Sequence, residues 1–402
     1  MSGPEFPSRS RRSRRGAALT LVFAGVLAAS AATSAWPRDD VKSPSSGRTR
    51  NVSDASPASS GSSATVSPQA LEKAAADAEA DGKSGTDAAE EVVSRSGDRW
   101  GAVYDRGEYE EFEQALDGRY TGVGLGARRA RDGRIEVSAV QPGGPAALAG
   151  VRAGDLIRTI DGHRVTASPV TEVVSQLRGD DGGKGSSAAP GTAVTLGLQR
   201  GTHAWSRTVR RARLSTEAVT VRALADGATM IKVTAFTKGA GERVCDAVRT
   251  SDGGLLLDLR GNAGGLVTEA TAAASAFLDG GLVATYDIHG KQRALYASGG
   301  GDTARPLVVL VDGGTMSAAE LLTGALQDRG RAITVGTRTF GKGSVQMPSR
   351  LKDGSVAELT VGHYRTPAGH SVDGQGITPD LVATDRAEAR AETVLSGLGG
   401  TS

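Results

Sequence analysis

Ser317, Lys342 and Gln346 are the side chains whose types and spacing suggest chemistry. They lie in the stretch LVVLVDGGTMSAAELLTGALQDRGRAITVGTRTFGKGSVQ. The apolar run Leu307–Val311 reads as a buried strand, glycines follow it, and Ser317 comes immediately before the helical stretch Ala318–Leu326. A serine there stands at a helix N-terminus, where unpaired N–H groups and the positive end of the macrodipole favour an anion. A nucleophile with an oxyanion site needs that position. A plain serine N-cap occupies the same position. Twenty-five residues on, Lys342 stands between Gly341 and Gly343, where backbone can approach closely and no neighbouring carboxylate is expected to hold the ammonium charged. Only nine of the 47 basic residues are lysines, so a lysine here is unexpected by chance. Arginine keeps its proton, whereas a desolvated lysine can lose it and act as a general base. Gln346, four positions further, can hold the amine in line without adding a charge that would raise its pKa.

The elements that must position these residues read as an α/β unit. Leu255–Leu259 and Leu307–Val311 are near-continuous apolar runs of strand length, as buried parallel strands require. Thr268–Leu278 and Ala318–Leu326 read as helices, and strand–helix alternation places chemistry at strand ends. Upstream, Leu71 to about Gly118 is rich in Ala, Glu and Asp, with Val92, Val93, Trp100, Val103, Tyr104, Phe112 and Leu116 at mixed three- and four-residue spacings. Short helices packed on something larger are predicted there.

Composition bounds the rest. The chain of 402 residues is 38% hydrophobic and 23% charged, enough for two or three domains with cores, and its 56 glycines follow no collagen period. One cysteine, Cys245, excludes an intramolecular disulfide and a cysteine-based zinc site. Arg9, Arg11, Arg12, Arg14 and Arg15 precede an uncharged stretch from Gly16 to Trp36, the pattern of an export leader. Its small residues near Ala35 suit cleavage, and its length would also span about 30 Å as an uncleaved anchor. Ser13-Arg14-Arg15 has the arginine pair of a twin-arginine signal without the large apolar residue that should follow, so a general secretory leader is expected. Without residues 1–35 the net charge of +2 becomes slightly negative, and nucleic-acid binding loses its support. Residues 37–69 are rich in Ser, Pro, Thr and Gly, and read as a disordered tether.

Between Tyr120 and Leu214 a separate pattern appears. TGVGLGA opens it, IEVSAV alternates like a strand, PAALAGVRAGDLIRTIDG carries tight-turn punctuation, and Val170, Val173, Val174 and Leu177 form a helical stripe. The strand AVTLGLQRG closes it. This order and its G-V-G-L loop resemble a PDZ domain. The resemblance implies that the backbone of Gly122, Val123, Gly124 and Leu125 cradles a peptide's terminal carboxylate while the peptide adds as a strand. The insert RGDDGGKGSSAAPG is long for this pattern and reads as a surface loop. Arg207, Arg210, Arg211 and Arg213 read as a solvated strand face.

The segment Thr315–Gln346, LLLDLRGNAGGL, GDRWGAVYDRGEYEEFEQALDGRYTGVGL and HYRTPAGHSVDGQGITPD together resemble the carboxyl-terminal processing, or tail-specific, proteases, over about residues 86–384. The resemblance implies a PDZ domain joined to a crotonase/ClpP-like α/β peptidase core, with an N-terminal helical segment. It also implies Ser317 as nucleophile, Lys342 as general base, Gln346 as the residue orienting it, and an oxyanion hole from the N–H of Ala318 and one from Gly264 or Gly265. No metal or cofactor is implied, and the partners are protein or peptide substrates bound by their C-terminal tails. Asp312, Met316, Gly261 and Ala263 depart from the family's usual residues, and none belongs to the dyad.

The resulting division is 1–36 signal peptide or membrane anchor, 37–69 linker, 70–119 N-terminal helical segment, 120–214 PDZ domain, 215–385 α/β serine peptidase core and 386–402 C-terminal tail. The expected location is outside the cytoplasm, on the outer face of the membrane or secreted. Two rivals stand beside this reading. A Ser–His–Asp hydrolase would draw its base from His163, His203, His289, His363 or His370. A PDZ adaptor without catalysis would bind protein C-termini and would have no use for Ser317, Lys342 and Gln346. A PDZ module could also cover the site until a tail docks on Gly122–Leu125.

Overall fold

The computed structural model describes residues 67–399 except 131, 167, 180–187, 225–226 and 289–290. The leader, nearly all of the tether, His289 and the middle of the long insert lie outside the described residues. Among the described residues no helix is long and apolar enough to cross a membrane.

Ser317 and Lys342 follow strands of a six-stranded sheet. Its strands are β10 (Val219–Ala223), β11 (Thr229–Val233), β12 (Leu255–Asp258), β15 (Leu307–Val311), β16 (Ile333–Gly336) and β19 (Leu381–Val382), in that spatial order. Only β10 runs antiparallel to its neighbour. In the central β12 and β15 residues alternate between two covered faces, which is why these two strands are almost wholly apolar. Leu255, Leu257, Val309 and Val311 face one core with α6 (Ala240–Arg249), α7 (Val267–Ser275) and α8 (Ala318–Asp328). Leu256, Val308 and Leu310 face the other, closed by Ala391 and Leu395 of α9 (Ala387–Gly399). Each such side chain contributes roughly 1.5–3 kcal/mol on burial. The segment read as the C-terminal tail is thus largely a thirteen-residue helix sealing one sheet face. Glu388 also ties it to Arg222 and Arg260 by ion pairs.

A second, antiparallel sheet lies beside the first. It contains β1 (Ala102–Tyr104), β18 (Val356–Arg365), β13 (Gly281–Ile288) and β14 (Lys291–Ala297), with β17 (Ser344–Arg350) also paired to β18. The N-terminal segment docks here. Helices α1 (Pro68–Ala80) and α2 (Gly85–Arg95) bury Leu71, Ala75, Ala89 and Val93 against Leu351, Ala357 and Leu359. Helix α1 starts at Pro68, capped by Ser67, so the helical segment includes residues slightly before 70. Helix α3 (Arg106–Leu116) follows β1 and is opened by a capping box of Asp105 and Glu108.

The PDZ domain is a sheet in the order β3 (Leu125–Arg129), β4 (Ile135–Val140), β5 (Leu156–Ile160), β7 (Ala193–Arg200), β8 (His203–Arg210), with β6 (His163–Arg164) on β5. Helix α5 (Val170–Arg178) packs Val173 and Leu177 into its core, as the stripe predicted. Strands β2 (Arg119–Gly122) and β9 (Ala212–Ser215) pair at its base, and the short helix α4 (Pro145–Leu148) completes it. One residue of the basic run departs from a solvated face: Arg211 is buried. Its guanidinium donates to Gln176 O, Leu177 O and Ala193 O at 2.9–3.1 Å, satisfying the carbonyl end of α5.

Candidate active site

Three neighbouring parallel strands bring three turns to one edge. β12 runs into the turn 259–266, β15 into 312–317 and β16 into the loop 337–343. Backbone bonds lace them: Met316 N–H donates to Asn262 O at 2.9 Å and Phe340 N–H to Thr315 O at 3.0 Å. The Thr315 hydroxyl donates to Leu259 O, and Asp312 Oδ1 accepts the N–H of Gly261, both at 2.9 Å. Asp312, one of the departures in sequence, therefore ties the glycine turn to the serine turn.

Ser317 sits immediately before α8 with φ 55° and ψ −117°. An ordinary N-cap has extended backbone. A β-carbon at positive φ is strained, and such strain is kept where the surroundings over-determine it. Those surroundings are two buried groups. Glu320, fully buried, accepts the N–H of Ser317 at 2.9 Å and the N–H of Lys342 at 2.8 Å on one oxygen, and the Gly341 N–H and Thr339 hydroxyl on the other. The Tyr364 hydroxyl lies 2.9 Å from both Ser317 O and Lys342 O and donates between them. Burial, with Glu320 and Asp373 nearby, holds this phenol well above its ordinary pKa, so it keeps its proton.

Lys342 has the flanking glycines for the expected reason. Gly341 has φ +92°, and a β-carbon on Gly343 would lie 2.5 Å from Asp373 N. The amine is half-buried and lies 5.1 Å from the centroid of the Trp100 ring. Desolvation pulls its pKa below that of an ordinary lysine, while Glu358 and Asp98 oppose the shift. The expectation of a lysine away from carboxylates is corrected here: two approach from distant parts of the chain, and burial outweighs them. Gln346 lies on β17 and donates from Nε2 to Ser344 Oγ at 2.7 Å and Thr360 Oγ1 at 3.3 Å. Thr360 in turn donates to Asp98 at 2.8 Å.

Gly264 lies against the serine. A β-carbon there would stand 2.9 Å from Met316 O, 3.0 Å from Ser317 Cβ and 3.2 Å from Ala318 N. Its own N–H donates to Asn262 Oδ1 at 2.8 Å. In the PDZ domain, Gly122 ends β2, Gly124 has φ +75°, and the carbonyls of Val123 and Gly124 accept from Ala146 and Gln141. Leu125 starts β3, the edge strand beside α5. Of the histidines, His363 stands 3.6 Å from Asp373 and His370 3.7 Å from Asp328, both with exposed rings. His163 and His203 belong to the PDZ domain.

A family model described as peptidase family S41 matches residues 227–383, and a PDZ-domain model matches 136–184. Residues 227–383 belong to peptidase family S41. The chain is 33% identical over 313 residues to carboxyl-terminal-processing peptidase 2, chloroplastic, of Arabidopsis thaliana, covering 73% of the present chain and 59% of that relative. It is 36% identical over 286 residues to the chloroplastic C-terminal processing peptidase of Tetradesmus obliquus, covering 66% and 60%. A probable CtpA-like serine protease of Staphylococcus aureus N315 is 31% identical over 278 residues, covering 67% and 54%. The chain thus spans less than two thirds of these relatives' lengths. The solved photosystem II D1 C-terminal processing protease aligns with a TM-score of 0.48 at 28% identity, over 79% of this chain and 86% of that one. The PDZ and α/β architecture read from the sequence is the one observed.

Sequence reasoning missed Glu320, Tyr364, Asp98, Trp100 and Glu358. A signal existed for the first: Ser317-Ala-Ala-Glu320 has the capping-box spacing. Nothing in sequence joins Trp100 to Lys342.

Proposed function

We propose that the protein is an exported serine endopeptidase that takes protein C-terminal tails on its PDZ domain and cleaves by a Ser317–Lys342 dyad. The observation that carries the reading is the pair of buried groups, Glu320 and Tyr364, that bind the backbones of both residues at once. A plain N-cap has no need to be tied to a desolvated lysine.

Neutral Lys342 takes the Ser317 hydroxyl proton as the oxygen attacks a peptide carbonyl. The Ala318 N–H, at the first position of α8, and an N–H of the Gly264-Gly265 turn stabilise the tetrahedral oxyanion. Because Gly264 N–H already serves Asn262, Gly265 is the donor favoured from that turn. The lysine ammonium then protonates the departing amine as the C–N bond breaks. Water attacks the ester, Lys342 takes its proton, and collapse returns Ser317 and a free carboxylate. Gln346, anchored on Ser344 and Thr360, orients the amine. The tail adds to the edge of β3 beside α5, with its carboxylate at Gly122–Leu125. Relatives with chloroplastic names fit work outside the cytosol.

The test compares wild type, Ser317→Ala and Lys342→Ala on an unstructured protein with a free or amidated apolar C-terminus. Loss of about 10²-fold or more in both variants is expected, as for removal of a nucleophile or general base, with a preference for the free carboxylate. Full activity in either variant sinks the dyad, and equal cleavage of both substrates sinks tail recognition.

A further inference from the structure

The base is roofed by a residue from the other end of the chain. Trp100 lies in the connection between α2 and β1, far from Lys342 in sequence, yet its ring is 5.1 Å from the amine. The indole is itself held: its ring centroid lies 5.7 Å from that of Phe340 and 4.7 Å from the Arg99 guanidinium. Asp98 fixes the connection. Its carboxylate accepts the N–H groups of Trp100 and Gly101 at 3.1 and 2.9 Å, and the N–H and hydroxyl of Thr360 on β18 at 2.8 Å each. Thr360 also accepts from Gln346. The N-terminal arm therefore reaches the dyad twice, through an aromatic face and through the network that holds Gln346.

We propose that Trp100 is a positioning residue for the general base: its indole covers the Lys342 amine and keeps water from it, so the dyad is complete only when the N-terminal arm is seated on β18. The inference rests on the Ser–Lys reading above. The ring attracts the ammonium, which favours the charged form, and excludes water, which disfavours it. Burial as a whole lowers the amine's pKa, and the indole 5.1 Å away is part of what covers it. The charged groups facing the amine are Glu358 of β18 and Asp98 of the connection, both favouring the ammonium; Arg99 lies against the Trp100 ring. Cover and charge thus act on the same amine with opposite signs, and substitutions can separate them.

The experiment is the pH profile of kcat/KM for cleavage of unstructured casein by the full chain and by Trp100→Ala, Trp100→Phe and Glu358→Gln. Activity rises as Lys342 loses its proton. Trp100→Ala admits water and is expected to move the rising limb to higher pH by about one unit. Trp100→Phe keeps an apolar cover and is expected to leave it near wild type. Glu358→Gln removes a carboxylate that favours the ammonium, and is expected to move it to lower pH. If Trp100→Ala does not fold, Trp100→Gln carries the same expectation. A lower plateau with an unmoved midpoint is the mark of a merely structural Trp100 and overturns the inference. Lys342→Ala, run alongside, separates the two readings: full activity there removes the dyad itself, whereas an inactive Lys342→Ala with an unmoved Trp100→Ala midpoint removes only the role of Trp100.

Discussion

Glu320 Oε2 accepts the backbone N–H of Lys342 at 2.8 Å, although 21 residues and a strand separate them in the chain. The same oxygen holds the N–H of Ser317 at 2.9 Å. One carboxylate therefore fixes the distance between two turns borne by adjacent strands. Tyr364, from the second sheet, grips the carbonyl side of the same two residues. Ser317 and Lys342 are thus placed by their backbones, independent of any hydrogen bond between their side chains.

Glu320→Gln replaces two accepting oxygens by one oxygen and an NH₂ group aimed at existing donors. At least one buried N–H loses its partner, at a cost of about 1–3 kcal/mol. The melting temperature is expected to fall, and kcat/KM on casein to fall at least tenfold. A variant that keeps both wild-type values would show that the clamp is dispensable.

Gly264→Ala brings a β-carbon within 3.0 Å of Ser317 Cβ on a backbone with φ +96°. The serine turn has to move, and misplacement of about an ångström costs on the order of 10²-fold in rate. Expected is a loss of that size in kcat with circular dichroism unchanged. Normal turnover would place the nucleophile away from this glycine.

Lys342 titrates below an ordinary lysine because burial penalises its ammonium. Below the lowered pKa both folded and unfolded states carry the charge, and the folded state bears the penalty. As pH rises from that pKa toward the ordinary lysine value, the unfolded chain holds more protons and stability increases. Lys342→Met should therefore melt higher than wild type at neutral pH, with the gain shrinking as the solution becomes alkaline. A constant or growing difference in melting temperature across that range would contradict the assigned environment.

Arg211→Leu removes the donors that satisfy Gln176 O, Leu177 O and Ala193 O. Gln176 O keeps the Gly179 N–H at 3.1 Å, whereas leaving Leu177 O buried and unpaired costs about 1–3 kcal/mol. The PDZ domain should lose stability in hydrogen exchange over residues 170–178, while turnover of a tailless peptide is little changed. Unaltered exchange there would mean that water replaces the guanidinium.

The apolar runs Leu255–Leu259 and Leu307–Val311 were legible as buried parallel strands because both faces of such strands are covered and neither needs a polar residue. The PDZ helix was legible because Val173 and Leu177 repeat at helical spacing and only one of its faces is buried. The C-terminal helix was underread: its apolar residues are few, and its burial depends on a sheet face that other segments create. Arg211 was misread for a similar reason, since a strand pattern does not say which helix end will lie beside it.

Residue type and local spacing alone determined that Ser317 precedes a helix and that Lys342 needs small neighbours, because helix termini and tight backbone approach are local matters. What brings those two residues together was decided only by the tertiary structure. Strand order β12-β15-β16 sets their turns side by side, Glu320 and Tyr364 lock them, and Trp100, Asp98 and Glu358 converge on the amine from the arm and the second sheet. Desolvation and charge act through space, so the balance that lowers the pKa of Lys342 depends on neighbours that its own segment does not contain.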